Sequence, residues 1–224
     1  MKLAIVGYGK MGRLIEQLAP EYGFSVHARI DIGDDFAQAH GADVAIEFTR
    51  PEAAVQNIEK LAAMRLPVVV GTTGWLAHMS EIHTAIERAQ SALIWSPNFS
   101  VGVNVFLRLV REAAQLLANE PGYGAWAWEI HHDTKKDAQS GTLLKLVEEM
   151  KAAGYHRNID VSSNRAGRHP GTHEIGFDSA ADTITLRHSA RSREGFARGA
   201  LKAAQWIVGK QGVYEFSDVL FMKR

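Results

Sequence analysis

Short apolar runs alternate with stretches of helical spacing through the first hundred residues, and this alternation constrains the fold more than any other feature. The runs are Leu3–Val6, Ser25–Ile30, Val44–Phe48, Pro67–Val70 and Ala92–Trp95. Met11–Leu18, Glu52–Met64 and His78–Ala89 lie between them with apolar residues at helical intervals. A short, continuous apolar strand must be covered on both faces, so the pattern predicts βαβ units around a parallel sheet. The crossovers are expected to be right-handed. With 224 residues, 46% of them apolar, there is material for one large domain or two small ones.

The pattern changes near residue 100. Val103–Leu117 reads as a longer amphipathic helix, stopped at Glu120-Pro-Gly. Ala125–His131 reads as a strand. Leu143–Ala153 reads as a helix, with Ser140 or Thr142 as N-cap and Gly154 as the stop. Glu174–Asp178 and Thr183–His188 suggest a hairpin. Gly195–Val208 is helical again, with Phe196, Ala200, Ala203 and Ile207 on one face, and is free to pack back on the first half. The expectation is an α/β first half and a mixed α+β second half.

Composition narrows the function. Lys+Arg and Asp+Glu are both 25, so no basic field invites nucleic acid. There is no cysteine, which excludes disulfides and thiol catalysis and fits a reducing compartment. No apolar run approaches the ~20 residues of a membrane span, and MKLAIVGYGKMG lacks a signal-peptide layout. A cytoplasmic protein is expected.

Residues 7–12, GYGKMG, match G-x-G-x-x-G directly after a strand-like run and at the start of a helix. In that context Gly7 permits a tight turn, Gly9 lets a pyrophosphate approach the backbone, and Gly12 lets helix and strand pack closely. Tyr8, Lys10 and Met11 fill the loop, and the helix N-terminus faces the phosphates. Asp31 stands where a ribose-binding carboxylate belongs and favours NAD; Arg29 and Lys10 leave NADP open. A Gly-rich turn that binds nothing is the plain alternative. Three later strand ends carry EFTRPE (47–52), GTTGW (71–75) and SPNFSVGVN (96–104). GTTG suits the nicotinamide side and Asn98 a carboxamide, although Thr49, Thr72 and Thr73 serve equally as helix caps.

Residues 129–142, EIHHDTKKDAQSGT, gather His131, His132, Lys135 and a Ser140-Gly141-Thr142 turn that opens a helix. Histidine exchanges protons near neutral pH, and a helix N-terminus holds a carboxylate. Together they suit reduction of an anionic substrate, with hydride from a cofactor and a proton from the protein. A solvated loop with an ordinary cap remains the competing reading. No metal site is expected: His156, His169, His173 and His188 form no local ligand motif.

On GYGKMG, EFTRPE, GTTG, PNFSVGVN, the cluster E-x-HH-x-x-K-x-DA-x-SGT and the C-terminal H-x-A-x-SR-x-x-FA-x-GA (188–200), the chain resembles the dihydrodipicolinate reductases over almost its whole length. The resemblance implies a Rossmann dinucleotide-binding domain, 1–101 plus 193–224, and a substrate domain, 102–192, whose sheet builds a homotetramer. It implies reduction of 4-hydroxy-tetrahydrodipicolinate with NADH or NADPH. It gives His131 the role of proton donor and acceptor, Lys135 that of proton donor, and the substrate carboxylate to His132, Ser140, Gly141 and Thr142. Gly7–Gly12, Asp31, Gly71, Thr72, Thr73, Ser96, Pro97, Asn98 and Phe99 would line the cofactor. The alternatives are an oxidoreductase acting on another imine or amino acid, and a non-catalytic dinucleotide sensor.

Overall fold

The structure is a computed structural model that describes residues 1–222. The chain forms two compact units, Met1–Val101 together with Glu194 onward, and Gly102–Arg193.

The first unit is built on a wholly parallel six-stranded sheet. Its strands are β1 (Lys2–Val6), β2 (Ser25–Ile30), β3 (Val44–Glu47), β4 (Val68–Val70), β5 (Ala92–Trp95) and β10 (Gly212–Glu215), in the order β10-β5-β4-β3-β1-β2. The helices are α1 (Lys10–Leu18), α2 (Pro51–Ala63), α3 (Met79–Ala89) and α6 (Glu194–Ile207), followed by the short α7 (Phe216–Phe221). The period-2 alternation of the strands divides the core in two. Leu3, Ile5, Val44 and Ile46 pack with Ile15 of α1 and Ala200, Ala203 and Ile207 of α6, while Ala4, Val6, Ala45 and Val68 pack with Ile58 of α2 and Ile82 and Ile86 of α3. The helix expected at Gly195–Val208 thus does return to the first half. The strand β10 and helix α7 were not expected.

Strand order reverses at β1, which pairs with β2 on one side and β3 on the other. In an open parallel sheet that reversal opens a crevice beyond the carboxyl ends of the two diverging strands. The loops beginning at Gly7 and Phe48 sit there.

The second unit contains α4 (Val101–Leu117), β6 (Gly124–His131), α5 (Gly141–Ala152), β7 (Ile159–Arg165), β8 (Thr172–Asp178) and β9 (Thr183–Ser189). The sheet runs β7-β6-β8-β9, with β6 parallel to β7 and the other pairs antiparallel. One face is covered by Phe106, Val110 and Ala114 of α4 and by Leu143, Leu146 and Met150 of α5. Burying each such leucine or phenylalanine contributes roughly 1.5–3 kcal/mol, so this stripe holds α5 on the sheet. Ser140 caps α5, its Oγ accepting from Leu143 N at 3.2 Å. Gly154, at φ +93°, ends it, and Tyr155 N donates to Met150 O at 3.1 Å. The strand β7 was missed, because IDVSSNR carries only two apolar residues in seven, Ile159 and Val161.

Candidate active site

In the first unit, a cleft of about 480 Å³ opens at the crevice between β1 and β3, lined by Gly7, Tyr8, Gly9, Asp31, Phe48, Thr49 and Asn57 among others. A Cβ on Gly7 would lie 2.1 Å from Phe48 O, and its φ of +90° suits glycine alone. Gly12 lies against Gly7 O, 2.2 Å from where a Cβ would stand, so it serves the packing of α1 on β1. Gly9 is the N-cap of α1 with no side chain over the helix end, and nothing lies within 4 Å of a Cβ built there. An anion can therefore reach the first-turn N–H groups. A dinucleotide fits this lining: open backbone at Gly9, a carboxylate at Asp31, and room between.

A neighbouring groove is lined by Gly9, Lys10, Met11, Thr49, Gly71, Thr72 and Thr73. The expected residues of the glycine loop, of β2 and of GTTG therefore come together at one end of the sheet. Ser96, Pro97, Asn98 and Phe99 line neither cavity. Ser96 Oγ bonds Asn98 O at 2.8 Å, Asn98 Oδ1 accepts from Ser100 N at 2.9 Å, and Phe99 is buried against Phe48 and Phe216. Arg29 lies outside the cleft lining, bound by Glu16, which also takes the Tyr8 hydroxyl.

Glu47, at the end of β3, was not singled out as a site residue. It is fully buried and accepts from Thr49 Oγ1 and, at 3.3 Å, from Asn57 Nδ2. Thr49 N donates to Thr72 Oγ1 at 2.7 Å, which joins the EFTRPE and GTTG loops. Burial pushes the Glu47 carboxyl above its usual range.

In the second unit, sheet register assembles a polar cluster that no local motif contains. Alternation places Glu129 and His131 of β6 on the helix-covered face. The register sets Glu129 beside Ser163 of β7 and His173 of β8, and His131 beside Arg165. Glu129 is fully buried. Its Oε1 accepts from Arg165 Nη2 at 2.9 Å, Ser163 Oγ at 3.0 Å and Ser140 N at 2.9 Å. Its Oε2 takes the Ser140 hydroxyl, with His173 Nε2 at 3.3 Å and His131 Nδ1 at 3.4 Å. Burial alone would raise this carboxyl, but the bonds from Ser140 and Arg165 outweigh it and hold Glu129 below the ordinary range. It is a buried, ionised, fully paired carboxylate.

Burial pushes His131 below the usual imidazole range. Burial, reinforced by His131, pushes His173 down to about 4. The rings meet edge-on, 5.0 Å between centroids. Lys135 Nζ is held by both oxygens of Asp137, at 2.7 and 2.8 Å, and this bond draws the Asp137 carboxyl down. His132 lies half-buried past the strand end, its Nδ1 2.7 Å from Thr134 Oγ1. The two histidines therefore have different surroundings, as their positions at the strand end imply. Of the residues expected to hold a carboxylate, Ser140 is buried and its hydroxyl is committed to Glu129 and Leu143. Gly141 and Thr142 supply the accessible helix end. Glu129, His131 and His173 also form the one cluster among the described residues with metal-ligand spacing. Arg165 on the carboxylate already supplies its counter-charge and opposes a cation there. Sequence reading missed His173, Arg165 and Ser163, which lie 34–44 residues from Glu129 and reach it only through strand pairing.

Family models described as dihydrodipicolinate reductase, N-terminus and C-terminus, match residues 1–99 and 102–220. The chain is 35% identical to a 4-hydroxy-tetrahydrodipicolinate reductase of Christiangramia forsetii, covering 98% of each chain. It is 31% identical to the same enzyme of Geobacter sulfurreducens, covering 99% of each. Among solved structures, a dipicolinate-bound dihydrodipicolinate reductase from Paenisporosarcina superposes with a TM-score of 0.83 at 20% identity, over 98% of this chain and 99% of that one.

Proposed function

The chain belongs to the dihydrodipicolinate reductase family, and on that premise we propose how its own residues divide the work. It is an NAD(P)H-dependent oxidoreductase that reduces 4-hydroxy-tetrahydrodipicolinate in lysine and diaminopimelate biosynthesis. The first unit is the cofactor domain and the second the substrate domain. Gly7, Tyr8, Gly9, Lys10 and Met11, packed through Gly12, receive the pyrophosphate. Asp31 binds the adenosine ribose, and Gly71, Thr72 and Thr73 flank the nicotinamide end, with Ser96, Pro97, Asn98 and Phe99 supporting that end of the sheet. NADH or NADPH supplies the hydride.

The observation that carries the assignment in the second unit is the junction of His131 with the capped end of α5 through Glu129. The N–H groups of Gly141 and Thr142, at a positive helix end, hold a substrate carboxylate. His132 adds a donor at the rim, and Ser140 keeps the turn in place. Lys135 delivers a proton from its ammonium, which Asp137 orients. His131, depressed by burial, rests neutral at pH 7 and accepts a proton before returning it.

We place the enzyme in the cytoplasm as a homotetramer, assembled through the sheet face that carries Trp126, Trp128 and Ile130, opposite α4 and α5. Light scattering reads the subunit number directly.

The decisive experiment supplies enzymatically generated substrate and follows NAD(P)H absorbance. Turnover with at least one cofactor is expected, and none with either refutes the assignment. Lys135→Ala and His131→Ala should each cut kcat about 100-fold or more while NADH binding persists. Pyridine-2,6-dicarboxylate should compete with substrate; failure to compete points to a different imine or amino acid.

A further inference from the structure

We propose that Glu129 is a positioning residue that holds His131 with its Nδ1 turned inward, so that Nε2 is the atom that exchanges a proton with substrate. The inference rests on the assignment of His131 as the proton carrier and goes beyond it by fixing the atom and the residue that controls it.

Three observations carry it. First, His131 Nδ1 is buried and makes no aligned hydrogen bond, and the nearest anionic oxygen is Glu129 Oε2 at 3.4 Å. A buried ring nitrogen left without a partner is costly, so a small rotation that donates Nδ1–H to Oε2 is favoured. Second, the opposite side of the ring meets a residue with no side chain. Gly171 sits over it at φ +137°, and a Cβ there would lie 2.9 Å from Nε2 and 3.1 Å from Cδ2. A side chain at 171 would block the very nitrogen that must meet substrate. Third, Glu129 cannot swing away. Arg165, Ser163 and Ser140 N grip Oε1, and His173 Nε2 stands beside Oε2 while 3.1 Å from Ser140 Oγ. The carboxylate that orients His131 is thus the one that accepts from the cap of α5, which ties the proton carrier to the carboxylate cradle.

A fixed carboxylate on Nδ1 does two things. It selects the neutral tautomer with a free Nε2 lone pair, and it stabilises the imidazolium after Nε2 takes a proton. The other charged groups facing His131 are Lys135 and Asp137 from the following loop and Arg165 from β7, with neutral His173 from β8. Lys135 and Arg165 oppose the imidazolium, so removing Glu129 leaves them unopposed except by Asp137.

The first arm of the test reads the wild-type protein itself. Long-range nitrogen–proton NMR on histidine-labelled wild-type protein, with His131 assigned by comparison with His131→Gln, reads the neutral tautomer. Nδ1–H is expected, and Nε2–H would overturn the proposal. Glu129→Gln is the second arm. It should lower kcat about 100-fold or more, with NADH affinity unchanged, and should move the His131 titration, and the pH limb of kcat that follows it, to lower pH. A fall in kcat with the titration and limb unmoved would mean that Glu129 only supports the fold. If Glu129→Gln does not fold, the tautomer still decides the matter. If wild-type protein shows no turnover, the functional assignment fails, and the tautomer result stands separately from it.

Discussion

Acid should destabilise this protein through His173, and the size of the effect follows from its burial. His173 is pushed from an ordinary 6.5 down to about 4 by burial and by His131. The unfolded chain therefore takes up a proton near pH 6.5 that the folded chain refuses until about pH 4. Where the unfolded state binds more protons, stability falls as pH falls. The loss begins as pH drops through 6.5 and is complete near 4. At about 1.4 kcal/mol per pH unit, it reaches roughly 2 kcal/mol by pH 5 and roughly 3 kcal/mol in all. His131 is depressed in the same direction and adds to it. Glu47 works oppositely: its raised carboxyl is protonated in the folded state before the unfolded one, so it gains stability as pH falls. Glu129, held low, contributes only below the ordinary carboxylate range. Comparison with His173→Gln cancels the Glu47 and Glu129 contributions, since both proteins share them. The assay is urea unfolding followed by far-ultraviolet circular dichroism at pH 7.5 and pH 5. Wild type should lose about 2 kcal/mol more than His173→Gln between the two. Equal losses in the two proteins would refute the argument that His173 is kept neutral by burial.

One substitution in each unit, with Gly122→Ala as a control, tests the packing. In the first, a Cβ at Gly199 of α6 would stand 1.7 Å from Phe99 O. Gly199→Ala should cost about 3 kcal/mol, whereas Gly122→Ala, with nothing within 4 Å, should stay within about 0.5 kcal/mol of wild type in the same urea titration. In the second, Arg157 donates to Leu117 O at 2.8 Å, Ala118 O at 2.9 Å and Tyr123 O at 3.2 Å. It thereby caps the carboxyl end of α4, and its guanidinium lies 4.3 Å from the Tyr155 ring. Arg157→Ala should cost about 2–3 kcal/mol by loss of charge-assisted bonds to helix-end carbonyls, and a cost near zero would show that solvent replaces them.

What the sequence revealed, and what it hid, follows from the range of the interactions involved. The first unit was legible because each part of its signal is local. Leu3–Val6, Gly7 and α1 are contiguous, and the βαβ alternation announces the parallel sheet, whereas the strand-order reversal that opens the cleft is decided by pairing and is not written in any local run. The strand β10 escaped because four residues at a sheet edge, Gly-Val-Tyr-Glu, carry no periodicity that a surface loop lacks. In the second unit the stretch 129–142 was legible as chemistry, but its organising residue was not. Glu129 reads as a polar position on an otherwise apolar strand, and nothing local says that it is fully buried. That becomes determinate only when β7 and β8 pair on either side of β6. Pairing brings Ser163 and His173 level with Glu129 and brings Arg165 level with His131. A buried carboxylate must be paired or protonated, and here four donors, from β7 and from the cap of α5, keep it ionised. The proton carrier, the helix cap and the counter-charge therefore depend on one strand register. A slip of one residue in β6 would send Glu129 and His131 to the other face of the sheet, dismantling the site while leaving every local motif intact.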